Sequence, residues 1–224
     1  MTLTDFQSLW MGVLQLKSQA GWAVGASWVL AYLFGAMPFG YWLVKLKTGQ
    51  DIRLHGSGST GTTNVKRVAG KRMAFAVLAL DLLKGMAAVW VAQMLVPHIQ
   101  WVWAPYVHIG AAFLALVGHA RSVFIGFTGG KAAATGLGTM VALVPGISAI
   151  FALVALGVFA ITKTVSIASL TTAVVCPVLM GLIWAQGKIP LAYFIYGTLA
   201  SAWVAVLHKE NIQRLLSGTE NKLT

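Results

Sequence analysis

The chain of 224 residues is 58% hydrophobic and only 9% charged, whereas soluble domains average about 25% charged residues. This composition excludes a water-soluble globular fold. Sixteen Lys and Arg against five Asp and Glu give a formal net charge of +11. Because no basic stripe is interleaved with aromatic residues, this charge favours membrane lipid and small anions over nucleic acid as partners.

Long uncharged stretches predict an all-α integral membrane protein, a bundle of seven transmembrane helices forming one domain over residues 1–224. The uncharged run 132–162 is long for one span, and a break near Pro145 places every basic segment on one side of the membrane. The N-terminus is then outside and the C-terminus cytoplasmic. The expected spans are residues 21–44, 73–96, 101–118, 132–144, 146–162, 165–186 and 190–207.

The segment 1–17 precedes the first expected span. Its apolar residues recur at helical spacing, which predicts an amphipathic helix on the outer surface. A frayed terminus is the alternative.

The loop after the first span contains three glycines, several hydroxyl side chains and a basic cluster. Glycine lets the backbone approach a ligand, and an arginine can bind phosphate through two parallel charge-assisted hydrogen bonds. If the segment after Thr60 is helical, two of its polar residues share a face with the arginine. The pattern predicts an oxyanion cradle, with a flexible connector as the alternative. Its candidate residues are Gly56, Ser57, Gly58, Ser59, Thr63, Asn64 and Arg67.

A second glycine-rich loop, Gly126-Phe127-Thr128-Gly129-Gly130-Lys131, opens into the fourth expected span. Unpaired N–H groups and the positive end of the helix dipole bind anions at such a helix start. The pattern predicts a phosphate site formed by Gly129, Gly130 and Lys131. It is not a Walker A loop, since Ala132 stands where Ser or Thr is required. The alternative for Lys131 is an anchor at the membrane surface.

Two further polar sets lie near the expected cytoplasmic side. His208 and Asn211, three residues apart, suit proton transfer and hydrogen bonding to a substrate, or else they cap the end of the last span. Ser166 and Ser169 either supply hydroxyl groups to the site or serve as small residues in helix packing.

One charged pair falls inside the second expected span. Asp81 and Lys84 are three residues apart, where charges are costly and usually paired or functional, and they predict a structural ion pair. The sequence contains no Gly-x-Ser-x-Gly elbow, no His with an Asp five residues on and no metal-spaced Cys/His cluster. We therefore expect neither a serine nucleophile nor a metal site.

Five motifs, in this order, resemble the PlsY family of acyl-phosphate:glycerol-3-phosphate acyltransferases over roughly residues 25–218. They are Gly56 to Asn64 with Arg67, Asp81-Leu82-Leu83-Lys84-Gly85, Gly118-His119, Gly126 to Lys131, and His208-Lys209-Glu210-Asn211-Ile212. Three positions depart from the family's usual residues: Ser59 replaces Asn, Thr62 replaces Ala and Ala132 replaces Gly.

The resemblance implies a seven-span enzyme of the bacterial inner membrane with its active site on the cytoplasmic side. It implies transfer of a fatty acyl group from acyl phosphate to the sn-1 hydroxyl of glycerol 3-phosphate, giving 1-acylglycerol 3-phosphate and phosphate, without a cofactor. A phosphate acyltransferase using acyl-carrier protein would supply the donor. The implied catalytic residues are Ser57, Arg67, Lys131, His208 and Asn211.

Two questions stay open from the sequence. The proton acceptor is either His208 or a phosphate oxygen of the substrate. The alternative function is a membrane transporter of a phosphorylated metabolite, although the polar residues gather on one side and no inverted repeat occurs.

Overall fold

The structure is a computed structural model that describes residues 21–96 and 103–222. Within these ranges it is helical, apart from its loops and one isolated antiparallel bridge between Ser122 and Thr128. The α-helices are α1 (Gly21–Ala36), α2 (Phe39–Thr48), α3 (Thr62–Ala69), α4 (Lys71–Leu95), α5 (Ala104–Ala120), α6 (Ala133–Leu143), α7 (Pro145–Thr162), α8 (Val165–Ala185), α9 (Leu191–Leu207) and α10 (Lys209–Leu216). The helix expected over residues 1–17 lies outside the described residues.

The first expected span, residues 21–44, differs from the observed helices. It is broken between α1 and α2, and α2 continues to Thr48. The break falls at Pro38, whose ring removes a backbone N–H from the helical ladder. The Lys84 Nζ donates a 2.8 Å hydrogen bond to the carbonyl of Met37, so α4 supplies the partner that this break requires. The other expected spans match α4 to α9, with the largest difference at residue 101, where α5 begins at Ala104.

Helix length separates these helices into two groups. Four helical stretches are long and apolar enough to cross a membrane, namely Gly21–Thr48, α4, α7 and α8, and α9 with α10, bent by 62°, makes a fifth. The helices α5 and α6 have 17 and 11 residues. At about 1.5 Å per residue α6 is only about 16 Å long, half of a bilayer core of about 30 Å. Within the described ranges the expected helical segments are present, whereas the count of seven spans stays a prediction.

Glycines allow the central helices to pack closely. A Cβ on Gly35 of α1 would lie 2.1 Å from the carbonyl oxygen of Ala115, and one on Gly118 of α5 would lie 2.3 Å from that of Tyr32. The contact between α4 and α6 has the same character, because a Cβ on Gly138 would lie 2.0 Å from the Leu82 carbonyl oxygen. Small residues at helix contacts let the backbones approach. This packing holds the start of α6 beside α4, where the candidate site lies.

We predict that Gly35→Ala destabilises the protein by about 1–3 kcal/mol, because the new methyl group overlaps backbone atoms of α5 that cannot move aside. Gly25→Ala, on the same helix, is the matched control, since nothing lies within 4 Å of its added Cβ. Thermal unfolding of both variants in detergent measures the effect. Equal midpoints for the two variants would contradict the proposed close contact.

Candidate active site

A cavity of about 550 Å³ opens where the polar loops meet. One end is lined by polar and charged side chains from the first loop and α3, the start of α6, the start of α8 and the C-terminal segment. The other end is apolar and is lined by α4 to α9. Of the candidate residues, Ser57, Ser59, Thr63, Asn64, Arg67, Lys131, Ser166, Ser169, His208 and Asn211 line the cavity, whereas Gly56, Gly58, Gly129 and Gly130 do not.

The first loop is organised by the buried side chain of Asn64. Its Oδ1 accepts a 3.0 Å hydrogen bond from the backbone N–H of Ser57, and its Nδ2 donates 2.9 Å bonds to the carbonyls of His55 and Ser59. A Cβ on Gly56, where φ is +60°, would lie 2.2 Å from this Oδ1. Asn64 and Gly56 therefore shape the loop around Ser57, a positioning role that differs from the expected direct contact with substrate.

As expected, the segment after Thr60 is helical, and α3 presents Thr63 and Arg67 to the cavity. Arg67 and Ser57 are both solvent-exposed and both line the cavity. An exposed guanidinium at the mouth of a cavity can bind an arriving phosphate through two N–H groups.

The second loop differs from the prediction in one respect. The N–H of Gly130 donates a 3.0 Å hydrogen bond to the carbonyl of His119, so the expectation of a free N–H at Gly130 is wrong. A Cβ on Gly130 would lie 2.2 Å from His119 Nε2, and one on Gly129 would lie 2.1 Å from the His119 carbonyl oxygen. These glycines are needed for the close approach of the loop to α5. The N–H groups of the first helical turn belong instead to Ala133 and Ala134, which line the cavity.

The first and second loops are also joined to each other. Arg53 is paired with Asp51 at 2.6 Å and donates a 2.9 Å hydrogen bond to the carbonyl of Ile125. The N–H of Thr60 bonds to the carbonyl of Gly129 at 3.4 Å. These contacts hold two segments that are distant in sequence at one end of the bundle.

Lys131 connects the second loop to the C-terminal segment. Its half-buried Nζ donates a hydrogen bond to the Oδ1 of Asn211. Burial lowers the pKa of Lys131 below the ordinary lysine value, and the nearby positive charge of Arg214 lowers it further, while Glu210 and Glu220 oppose both effects. Asn211 thus fixes the direction of the ammonium group at the polar end of the cavity.

His208 occupies the capping position that the sequence left open as one alternative. It is buried at the end of α9, and its Nδ1 lies 2.8 Å from the carbonyl oxygen of Val204. Because a carbonyl can only accept, Nδ1 carries the proton and the neutral ring keeps its lone pair on Nε2. Burial lowers the pKa of His208 and the charge of Lys131 acts in the same direction, while the bond to Val204 opposes them. The residue caps the helix and also lines the cavity.

Sequence reasoning missed Glu220. Its Oε1 accepts hydrogen bonds from Ser166 Oγ at 2.8 Å and Asn211 Nδ2 at 2.6 Å, and its Oε2 accepts one from Arg214 Nε at 2.7 Å. Burial raises the pKa of Glu220, but these three donors outweigh it, so the pKa lies below the ordinary value. The residue stands outside any helix, and no sequence periodicity pointed to it.

The predicted ion pair in α4 is confirmed. Asp81 and Lys84 are buried and 2.8 Å apart. His119 is close to both α4 and α6, with its Nδ1 3.6 Å from Asp81 Oδ1 and 3.1 Å from Thr135 Oγ1. Asp81 and His119 line the cavity, so this buried network supports the site from below while Lys84 stabilises the break between α1 and α2.

Residues 26–218 match the model of a protein family described as glycerol-3-phosphate acyltransferase. The chain belongs to this family. It is 43% identical to the glycerol-3-phosphate acyltransferase of Rippkaea orientalis, over 90% of this chain and 94% of that relative. It is 42% identical to that of Synechococcus sp. (strain JA-3-3Ab), over 86% of this chain and 89% of the relative.

The fold also matches two crystal structures of PlsY, an integral membrane glycerol 3-phosphate acyltransferase. The glycerol 3-phosphate form has a TM-score of 0.79 and 33% identity, and the match covers 90% of this chain and 96% of that one. The lysophosphatidic acid form has a TM-score of 0.75 and 31% identity, covering 90% and 95%. The chain is therefore a membrane protein and an acyltransferase of glycerol 3-phosphate, and the comparisons do not favour the transporter alternative.

We predict that Glu220→Gln lowers stability by about 1–3 kcal/mol at neutral pH, because the variant loses the charge that Arg214 faces and one of the acceptors. Since the folded-state pKa of Glu220 is lowered, the stabilisation is present above the ordinary value of 4.5 and is lost as the pH falls through the folded-state pKa.

Unfolding midpoints in detergent should accordingly differ between wild type and Glu220→Gln at pH 7 and converge on acidification. Glu210→Gln is the control, because Glu210 is exposed on α10. A gap that is independent of pH would contradict the assigned charge pairing.

Proposed function

We propose that the acyl donor is an acyl phosphate and that the acyl group passes to the sn-1 hydroxyl of glycerol 3-phosphate. The hydroxyl oxygen attacks the acyl carbon, the bond to the phosphate oxygen breaks, and the products are 1-acylglycerol 3-phosphate and inorganic phosphate. The observation that supports this is the cavity itself, in which Arg67 and Lys131 lie at one end and an apolar channel begins beneath them. The two substrate phosphates need the positively charged end, and the hydrocarbon tail of the acyl group needs the apolar channel.

Binding of the two phosphates is assigned to Arg67, Lys131 and the N–H groups at the start of α6. An anion at a helix N-terminus is stabilised by these N–H groups and by the helix dipole. Asn211 positions the Lys131 ammonium, and the hydroxyl groups of Ser59, Thr63, Ser166 and Ser169 lie around the same space. Ser57, on the loop shaped by Asn64, steadies the oxyanion that develops on the acyl carbonyl.

Acyl phosphates are mixed anhydrides, and their phosphate departs readily. The reaction therefore needs correct placement of the hydroxyl and stabilisation of charge more than it needs an enzyme nucleophile. His208 is assigned as the proton acceptor, because its Nδ1 is bonded to Val204 and its Nε2 keeps a lone pair. Nε2 takes the proton from the sn-1 hydroxyl and releases it to the departing phosphate.

The membrane arrangement completes the proposal. The seven helical segments cross the bacterial inner membrane, with the N-terminus outside and the polar end of the cavity at the cytoplasmic face. The basic residues of the loops support this orientation through the positive-inside rule. Leu78 on α4 and Leu156 on α7 line the cavity and are also exposed on the surface of the bundle. The acyl tail can therefore enter sideways from the lipid, while glycerol 3-phosphate arrives from water.

The donor assignment is tested with purified protein in detergent and labelled glycerol 3-phosphate, offering acyl phosphate, acyl-CoA and acyl-carrier protein separately. We expect product with acyl phosphate. Product with acyl-CoA alone would overturn the donor assignment and leave the family activity intact.

We predict that Arg67→Ala lowers kcat/KM for glycerol 3-phosphate about 100-fold, which corresponds to about 2.7 kcal/mol, because a charge-assisted phosphate contact is lost. Lys71→Ala is the control, since Lys71 is exposed and does not line the cavity. Similar rates for both variants would show that Arg67 acts only through the general basic charge of the region.

We predict that the wild-type rate falls only below the ordinary histidine pKa of 6.5, because the pKa of His208 is lowered and the ring remains neutral at higher pH. His208→Gln should lose at least tenfold in kcat and should also lose this acidic limb. An unchanged pH profile in His208→Gln would assign the proton to a phosphate oxygen of the substrate.

A further inference from the structure

We infer that Met140, Phe151 and Cys176 form a stop at the apolar end of the cavity, and that this stop determines which acyl chain lengths the enzyme prefers. The inference rests on the proposed function in one respect, namely that the acyl tail occupies the apolar part of the cavity. It adds specificity-determining residues that lie far from the phosphate-binding end.

On four helices the cavity lining ends before the helix reaches its end away from the polar loops. The last lining residue away from the polar end is Met140 on α6, Phe151 on α7, Cys176 on α8 and Ala200 on α9. The residues about one turn deeper, Leu143, Ser148, Met180 and Tyr196, are buried but do not line the cavity. Because Met140, Phe151, Cys176 and Ala200 belong to one cluster of buried residues, the cavity has a floor.

The floor is part of the main apolar core. Phe151 is 2% exposed although it lines the cavity, and it belongs to one buried cluster with Met140, Cys176 and Met180. Thr139, which precedes Met140 on α6, and Tyr196, about one turn deeper than Ala200 on α9, are hydrogen-bonded to each other through their hydroxyl groups. Moving these side chains to admit more hydrocarbon would disturb close packing and a buried hydrogen bond. The floor therefore resists displacement by a longer chain.

The helical rise gives the depth of this space. From Ser166 to Cys176 on α8 the rise is about 15 Å, and from His208 to Ala200 on α9 it is about 12 Å. With C–C bonds of about 1.5 Å, an extended alkyl chain advances about 1.25 Å per carbon, so about 10–12 carbons reach the floor. Further carbons have to turn sideways toward Leu78 and Leu156, where the cavity meets the lipid.

Small residues line the channel above the floor and make the depth adjustable by substitution. Ala152 and Ala155 on α7 and Ala173 on α8 line the cavity between Phe151 and the polar end. A phenylalanine at one of these positions would raise the floor without touching any group assigned to phosphate binding. Ala149, on the same helix as Ala155, is exposed and does not line the cavity, so it offers a matched control.

The test is a competition assay in detergent. Wild type, Ala155→Phe, Phe151→Ala and Ala149→Phe each receive an equimolar mixture of octanoyl, dodecanoyl and octadecanoyl phosphate, and the acylglycerol 3-phosphate products are quantified by mass spectrometry. We expect Ala155→Phe to raise the ratio of octanoyl to octadecanoyl product at least tenfold, with the octanoyl rate retained. Phe151→Ala should shift the ratio several-fold in the opposite direction, and Ala149→Phe should match wild type.

Retention of the octanoyl rate shows that Ala155→Phe is folded, and Ala173→Phe on α8 provides the same measurement should Ala155→Phe fail to accumulate. Unchanged product ratios in Ala155→Phe and Ala173→Phe, or an equal loss for all three donors in these two variants, would overturn the inference. Each variant is also assayed with the matching acyl-CoA series. If acyl phosphates give no product with any variant but the ratios still shift with acyl-CoA, the donor proposal fails and the stop stands.

Discussion

The site depends on the chain of hydrogen bonds from Lys131 through Asn211 to Glu220. Lys131 precedes α6, Asn211 lies on α10 and Glu220 lies beyond that helix, so two hydrogen bonds join residues that are 80 and 9 positions apart in the chain. A half-buried ammonium group is stable only if its positive charge is compensated. Asn211 supplies a neutral acceptor and Glu220 supplies the negative charge one step further away. Among the described residues Lys131 is thus bonded to a neutral amide, which a substrate phosphate would displace more easily than a carboxylate.

This indirect compensation leaves a net positive potential at the mouth of the cavity. Glu220 is already bonded to Arg214, Asn211 and Ser166, so its charge is shared among donors on α8 and α10. In the proposed binding mode, an arriving phosphate would meet Lys131 and the start of α6 from the cavity side, where the helix dipole adds to the attraction. The same network ties the C-terminal segment to the bundle, so the proposed phosphate binding at Lys131 would be coupled to the placement of this segment.

The helices could be predicted well from the sequence. Each long uncharged run ends at a charged residue, a proline or a glycine, and its length identifies it as a membrane helix. The sequence also predicted the converging polar segments, since Ser57, Arg67, Lys131, His208 and Asn211 all line one cavity. It failed where a role depends on a partner distant in the chain. Nothing local shows that the N–H of Gly130 is used by His119.

Glu220 shows the same limit for a residue that the sequence analysis missed. Its neighbours in sequence are polar and exposed, as in any solvated tail, and only the tertiary fold places Ser166, 54 residues away, beside its carboxylate. The break at Pro38 shows the same limit. The proline can be read from the sequence, but the hydrogen bond from Lys84 to the Met37 carbonyl, 47 residues away, depends on the packing of α4 against the first helices. Local sequence patterns indicate which secondary structure a segment can form. Long-range contacts decide which of its hydrogen-bonding groups remain free to bind a ligand.

The short helix α6 explains why water-soluble and lipid-soluble substrates can meet. The helices α6 and α7 are packed neighbours joined at Val144, and they have 11 and 18 residues. Both helices extend from Val144 toward the polar loops. At about 1.5 Å per residue, the start of α6 at Ala133 therefore lies about 10 Å short of the end of α7 at Thr162. Lys131 and the first N–H groups of α6 are thereby recessed relative to the end of α7, at a depth that the carbonyl of the proposed acyl donor could reach from the lipid. A full-length span at this position would carry the proposed phosphate site out to the surface, away from that carbonyl.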